Sequence, residues 1–321
     1  MEKSTFKLGN LKIHYRAIPA PMASITDIVF RKLLDEIGCV DYMITEMISA
    51  EGLRRQQTKT LEIMRSDGFK TPQLIQLFGW EPSQFADAVS FIENETPFSG
   101  VDLNMGCPAG KVVRKGGGAA LLKDPLKAAS IIREIKTHTR LPITVKLRLG
   151  FNTVNILDML QAIDGEGADA VTVHFRLRSE GYSGNANWEY APIIREQLKE
   201  KALFIGNGDI KTAAEAKEKL NRVDCVMIGR GAVINPFIFA EMAGIDPAGF
   251  DTRRMVFHVL ELIETYYHPM FHLSRFKAYA RFLFSNRQNS KKIRQHIYSC
   301  HTFDEVKRVL HTYFEVNHES L

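Results

Sequence analysis

Cysteine is scarce and scattered: Cys39, Cys107, Cys225 and Cys300 form no C-x-x-C pair, which argues against a disulfide framework, a zinc site or an iron–sulfur cluster. Free thiols in a reducing compartment are the expectation, with no metal. No run of about 18 apolar residues occurs, and Met1-Glu-Lys-Ser-Thr-Phe-Lys7 lacks the apolar segment of a signal peptide. A soluble, cytoplasmic protein with no membrane partner is therefore expected. No G-x-G-x-x-G turn follows the first apolar run, which removes the usual fingerprint of a dinucleotide-binding open sheet. The last absence is local: from Thr265 to Phe303 there is no Asp or Glu.

What is present suits a globular protein. In 321 residues, 45% are hydrophobic and 25% charged, enough for one barrel-sized domain and a smaller one. The net charge of +5 is uneven, because residues 251–321 hold 11 Lys/Arg against 7 Asp/Glu. Arg275, Lys277, Arg281, Arg287, Lys291, Lys292 and Arg294 all fall inside the acid-free window. A surface of one sign concentrates polyanions and steers them.

From the N-terminus to about residue 243, short β-rich runs alternate with amphipathic helical stretches. Strands are predicted near Ala17–Met22, Asp41–Glu46, Gln73–Phe78, Val101–Asn104, Ile143–Leu149, Ala170–Phe175, Leu203–Asn207 and Cys225–Gly229. Helices such as Asp27–Ile37 and Pro125–Lys136, the latter with Asp124 as cap, lie between them. Eight strand–helix pairs favour an α/β fold, a closed (β/α)8 TIM barrel spanning residues 1–245. Past Asp246-Pro-Ala-Gly249 only helical patterns remain: Met255–Tyr267, Ser274–Phe284, Ser290–Cys300 and Phe303–Glu315. They predict a small all-α bundle over 251–321 whose core holds Phe276, Tyr279, Phe282 and Phe284, with the basic residues as phosphate contacts.

A parallel barrel builds its site at the C-terminal ends of its strands, and polar residues gather there. Gly106 and Pro108 put Cys107 on a tight turn after the fourth strand, with Lys111, Arg114 and Lys115 downstream. Such a thiol is either a small buried residue or a reactive group in positive surroundings. Lys146, between Val145 and Leu147, would be costly to bury without an anionic or electron-rich partner. His174 closes the sixth strand, with Arg176 and Arg178 beyond it. The turns Asn207-Gly-Asp209 and Gly229-Arg-Gly231 follow strands seven and eight, where barrels commonly hold phosphate, and together suggest a phosphate-bearing cofactor such as FMN. Gly116-Gly-Gly118 either lets the loop approach a ligand or allows a bend before the helix, with the bend as the first reading.

Taken together, Pro19-Ala-Pro-Met22, Gln76-Leu-Phe-Gly79, Leu103-Asn-Met-Gly-Cys-Pro108, Lys111 with Gly116–Gly118, Val145-Lys-Leu-Arg148, His174 to Gly184, Asn207-Gly-Asp209 and Ile228-Gly-Arg-Gly-Ala232 resemble the tRNA-dihydrouridine synthases. The likeness runs in order across the barrel into the tail, and N-M-G-C-P followed by the Lys- and Gly-rich loop is its most specific element. It implies an oxidoreductase with tightly bound FMN, reduced by NADPH, whose N5 passes hydride to C6 of a uracil. Cys107 would protonate C5, leaving 5,6-dihydrouridine in RNA, by implication transfer RNA, and the enzyme would act as a monomer. The likeness places Asn104 on the uracil and Pro21, Met22 and Gln76 along the isoalloxazine. Lys146 would lie near the N1/O2 edge and His174 close by. Asn207, Gly208, Asp209, Gly229 and Arg230 would take the ribityl chain and phosphate. Lys111, Arg178 and Tyr182 would meet the target nucleotide, and Arg275, Lys277 and Arg281 the RNA.

Two departures stand out. Phe175 occupies a position that is usually small in the family, and Arg275-Phe-Lys-Ala-Tyr-Ala-Arg281 only loosely resembles its R-K-H segment. Two other readings are an FMN barrel acting on a free small molecule, of the dihydroorotate-oxidising kind, and an RNA-binding module without catalysis. The basic tail argues against the first, and Cys107, Lys146 and His174 together argue against the second.

Overall fold

The computed structural model describes residues 6–66, 68–198, 202–246, 251–285 and 290–316. The linker expected at Asp246–Gly249 lies, beyond Asp246, outside the described residues, as do residues 1–5 and Arg287. A hairpin of β1 (Phe6–Leu8) and β2 (Leu11–Ile13) precedes eight parallel strands. These are β3 (Ala17–Pro19), β4 (Met43–Ser49), β5 (Gln73–Phe78), β6 (Gly100–Met105), β7 (Ile143–Gly150), β8 (Ala170–Leu177), β9 (Leu203–Asn207) and β10 (Cys225–Ile228). Neighbours run in chain order from β4 to β10, β10 pairs with β3, and Asp41 N–H donates to Ala17 O at 3.4 Å across the remaining seam. This is the expected (β/α)8 barrel, nearly closed.

Several strand bounds shift from expectation by a few residues, and two of the shifts have a local physical reason. β3 stops at Pro19 rather than Met22, because prolines at 19 and 21 lack the N–H needed for a ladder. β4 begins at Met43 rather than Asp41. The Asp41 carboxylate instead accepts from the backbone N–H groups of His14, Tyr15 and Ala17 at 2.6, 2.9 and 3.2 Å, tethering the segment that enters the barrel.

Alternation along each strand separates two layers. Val101, Leu103, Val145, Leu147, Val171, Val173 and Phe175 are buried in the outer layer, under the helices. At the N-terminal end of the bore, Ile18, Tyr42, Leu74, Ala170, Ile205 and Met227 are buried together with Leu8 and Ile13 of the hairpin, which plugs that end. The C-terminal half of the bore is polar: Gln76, Asp102, Asn104, Thr144, Arg148, Thr172, His174, Arg176 and Asn207 are all buried. Asp124 accepts from Lys127 N–H at 3.0 Å and caps the helix Pro125–His138, as expected.

Helices Thr252–Tyr266, Pro269–Leu283, Ser290–Ser299 and Phe303–Val316 follow the barrel. Phe276, Tyr279 and Phe284 are buried and Phe282 partly so, each fully buried ring contributing about 1.5–3 kcal/mol. The bundle is clasped to the loop after β3 through one buried carboxylate. Asp27 caps the helix Ile28–Ile37 and accepts from the hydroxyls of Tyr267, at 2.7 Å, and Tyr279.

Candidate active site at the barrel mouth

Strand register brings the polar residues together. Gln76 lies beside Asp102, Asp102 beside Thr144, Asn104 beside Lys146, Arg148 beside His174, and His174 beside Asn207. Because all face inward, they form a continuous polar wall around the mouth.

Cys107 is partly exposed on the turn leaving β6. Asn104 Oδ1 shapes that turn by accepting from the N–H groups of Gly106 and Cys107 at 3.2 and 2.9 Å. Arg148 fastens it from the next strand: its Nε–H donates to Gly106 O at 3.0 Å, and its Nη1 donates to Leu177 O and Gly181 O at 3.0 and 2.9 Å. The glycine-rich loop closes from below, where Ala119 N–H donates to Cys107 O at 3.0 Å. Gly118 has φ +57°, and a Cβ there would stand 2.9 Å from Cys107 O. The bend read from sequence is thus also a close approach, to the cysteine turn.

Lys146 is partly buried, and among the described residues its one hydrogen-bond acceptor is Asn207 Oδ1 at 3.3 Å. Burial, then Arg148, push its ammonium down to about 8 against the pull of Asp102. A lysine with two N–H groups left over in such a place suits an anionic or electron-rich ligand. The charge is also measurable. In protein stripped of small molecules, Lys146→Met should be the more stable form below pH 8, by at most about 3 kcal/mol. Wild type should regain that difference as pH rises from about 8 toward 10.5, since there the unfolded chain binds the extra proton. Melting curves of both proteins across this range test it; a gap independent of pH refutes it.

His174 is buried, and burial together with Lys146, Arg148, Arg176 and Arg230 holds its imidazole neutral. Its Nε2 lies 3.3 Å from Arg176 Nη1. A guanidinium can only donate, so Nε2 accepts and Nδ1 carries the proton. Arg176 also donates to Ser183 O at 3.2 Å, Gly184 O at 2.7 Å and the Asp209 carboxylate. Burial would raise Asp209, but the Ala186 amide, Arg176 and Arg230 hold it below the usual carboxylate range. Arg230 reaches the other Asp209 oxygen at 3.3 Å. Asp209 has φ +52° and Gly208 φ +133°. A Cβ on Gly208 would lie 2.6 Å from Ala186 Cβ, so glycine is required there. Asn207 is fixed by donating to Met227 O at 2.7 Å.

Tyr182 is 59% exposed, with the Arg148 and Arg230 guanidiniums 5.7 and 5.2 Å from its ring centre. Met22 sits beside Gly229, whose Cβ would be 3.6 Å from its sulfur, and Pro21 precedes it. Other expected site residues are elsewhere. The Arg178 guanidinium stacks 4.8 Å from Phe151. Lys111 is exposed on the short helix Gly110–Val113. Arg275 stacks on Tyr267 at 4.4 Å and lies 3.5 Å from Asp27, at the clasp between bundle and barrel. Lys277 donates to Tyr298 O and Cys300 O at 2.9 and 2.7 Å, closing the end of a helix. Arg281 is exposed on the same helix as both. Phe175 faces away from the mouth, against Trp188 at 4.3 Å, so its bulk does not narrow the bore.

Sequence reasoning gave no working role to Asp102, Thr144, Arg148 or Arg176. The signal was available in the alternations Val101-Asp-Leu-Asn104, Ile143-Thr-Val-Lys-Leu-Arg148 and Val171-Thr-Val-His-Phe-Arg176, each with polar residues on the inward side. Among the described residues, no group of three or more His, Cys, Asp or Glu is placed to hold a metal, and no helix is long and apolar enough to cross a membrane.

Fold and mouth together define a (β/α)8-barrel enzyme, with its polar machinery at the strands' C-terminal ends. A family model described as Dihydrouridine synthase matches residues 18–318, and the chain belongs to that family. A probable tRNA-dihydrouridine synthase of Rickettsia conorii is 37% identical over 243 residues, 74% of this chain and 72% of its own. One from Synechocystis sp. is 34% identical over 240 residues, 74% and 66% of the two chains. Two solved structures share the fold. Morphinone reductase has a TM-score of 0.53 at 12% identity, over 76% of this chain and 89% of its own. A 2-naphthoyl-CoA reductase bound to 2-naphthoyl-CoA has a TM-score of 0.58 at 10% identity, over 75% of this chain and 52% of its own.

Proposed function

We propose that the protein reduces the C5=C6 bond of a uridine in RNA, with transfer RNA as substrate, FMN as resident cofactor and NADPH as reductant. The observation that carries this reading is a partly exposed thiol on the same mouth as a partly buried ammonium short of acceptors. When bound, FMN supplies the hydride chemistry that no side chain can. The residues fit such a group. Lys146 has N–H groups to spare for an electron-rich ring edge, and neutral His174 offers Nδ1–H. Asp209 is engaged by two arginines and repels anions, so its part is to hold Arg230. The Arg230 guanidinium and the backbone at Gly208 and Gly229 would hold the phosphate, with Asn207 beneath the ribityl chain and Pro21, Met22 and Gln76 along the ring.

Cys107 then holds the proton at Sγ that C5 requires, at a turn fixed by Asn104, Arg148 and Ala119. The Asn104 amide gives one hydrogen to Gln76 Oε1 and the other to the weak acceptor Met47 Sδ at 4.0 Å, which a uracil carbonyl would replace. Tyr182, exposed and near two guanidiniums, offers a ring against which a base extracted from the RNA can stack. Extraction costs a few kcal/mol, which phosphate contacts along the bundle offset. Residues 1–245 would carry the chemistry and 251–321 the RNA contacts. Within the bundle the exposed Arg281, Lys291 and Lys292 are better placed for this than Arg275 or Lys277, whose charged groups are engaged internally. Changing those three to alanine should lower RNA affinity and flatten its dependence on log salt by about 2–3 units. An unchanged slope would remove them from the interface.

The activity itself is tested with purified holoenzyme, NADPH and unmodified tRNA transcript, followed by nucleoside mass spectrometry. Dihydrouridine in the RNA supports the reading. Equal turnover of free uracil-type metabolites would replace RNA by a small molecule as substrate.

A further inference from the structure

The cysteine turn hangs from a chain of side-chain amides that ends in a buried acid. Gln76 Nε2 donates to Asp102 Oδ2 at 2.7 Å, and Asn104 Nδ2 donates to Gln76 Oε1 at 2.8 Å. Asn104 Oδ1 accepts from Gly106 and Cys107 N–H. The Thr144 hydroxyl donates to the other Asp102 oxygen. Gln76, Asp102 and Thr144 are almost wholly buried and Asn104 is 8% exposed, so water cannot readily substitute for a missing partner. An amide can in principle be turned either way; here both ends remove the choice. Backbone N–H groups can only donate, so Asn104 must present its oxygen to Cys107. A carboxylate can only accept, so Gln76 must present its nitrogen to Asp102. Each condition alone sets both amides the same way, and the two agree.

We propose that Asp102 is a positioning residue for the Cys107 turn, acting through the polarity it imposes on the Gln76 and Asn104 amides. It touches neither the thiol nor the uracil. Without an acceptor at 102, only the two backbone N–H groups still set the amides, and the buried Gln76 nitrogen is left without its partner; Gln76 shifts to find one, Asn104 loses its rigid anchor, and the thiol loses its fixed placement. The inference rests on the uridine-reducing reading for its consequence in turnover, but not for its structural content. The carboxyl, pushed up to about 6 by burial against the pull of Gln76, Thr144 and Lys146, is a carboxylate at neutral pH.

The test compares Asp102→Leu, matched in shape but without an acceptor, with Asp102→Asn, in holoenzyme labelled with [15N]cysteine. Asparagine can still accept from Gln76 while giving its own amide to the Thr144 oxygen. The leucine variant should move the Cys107 amide resonance upfield, leave those of Cys39 and Cys300 in place, and slow reoxidation of the reduced enzyme by RNA about 10²-fold. The asparagine variant should restore most of both. A leucine variant with the Cys107 resonance unmoved, or an asparagine variant as impaired as leucine, overturns the proposal. If Asp102→Leu does not fold, Gln76→Leu breaks the same chain one bond nearer the turn and carries the same expectation for the resonance. A wild-type protein that left uridine unreduced would overturn the functional reading, while the resonance would still decide this one.

Discussion

Cys107→Ala should leave the flavin bound and reducible by NADPH, yet slow uridine reduction by about 10²–10⁴-fold, the usual worth of a positioned general acid. The two halves of the reaction separate because the thiol sits on the turn after β6, while the groups suited to the cofactor's phosphate and polar ring edge lie on β7 to β10 and their loops, and Met22 and Gln76 lie on the far side after β3 and on β5. Alanine keeps the backbone N–H that Asn104 accepts from and the carbonyl that Ala119 donates to. The turn therefore survives and only the proton source is lost. Stopped-flow traces in each direction make the comparison. Product formed by the variant at the wild-type rate removes Cys107 from the chemistry.

Arg176→Met should be the most damaging single change near the mouth for stability. Arg176 is among the largest fully buried side chains, and its guanidinium bonds Ser183 O, Gly184 O, Asp209 and His174 Nε2. Methionine fills the volume but strands two carbonyls and part of a carboxylate, at about 3–5 kcal/mol. For a chain of this size that is about a 4–7 °C fall in Tm. Asp209 would also lose the partner that steadies it for Arg230, so cofactor retention should fall along with Tm. A variant that melts within about 2 °C of wild type and keeps its flavin would show that Arg176 is dispensable.

The barrel was legible because each strand is a short β-rich run bounded by turn residues, and eight such runs alternate with helical stretches. Gln73–Phe78 and Leu203–Asn207 occur with the bounds expected. The bundle was legible through its apolar spacing, and Phe276, Tyr279 and Phe284 are in its core. Contacts made far along the chain were not legible. Asp27 reads in the sequence as the first residue of a helix, yet it caps that helix and also receives Tyr267 and Tyr279, some 240 residues away, and so joins bundle to barrel. Lys277 looked like a phosphate contact because its neighbourhood has no acidic residue; only the packed helices reveal that backbone carbonyls take its charge. Charge counting finds a basic surface but does not distinguish a lysine facing solvent from one that ends a helix.

The site was legible where motifs were dense and opaque where a residue works through another. Cys107 announces itself on a Gly–Pro turn, whereas Asp102 looked like one more polar residue in an alternating strand. Its partners, Gln76 and Thr144, sit on the two flanking strands and meet it only through register.

The most direct test of the central claim, that one mouth brings a reduced flavin and the Cys107 thiol to the same uracil, is a single-turnover experiment. Purified protein is bleached with NADPH, freed of excess reductant and mixed anaerobically with unmodified tRNA. The account predicts return of the oxidised flavin band with one dihydrouridine formed per flavin reoxidised, and a return about 10²–10⁴-fold slower when Cys107 is alanine. A protein that binds no flavin, or a reduced flavin that tRNA leaves bleached, would contradict it.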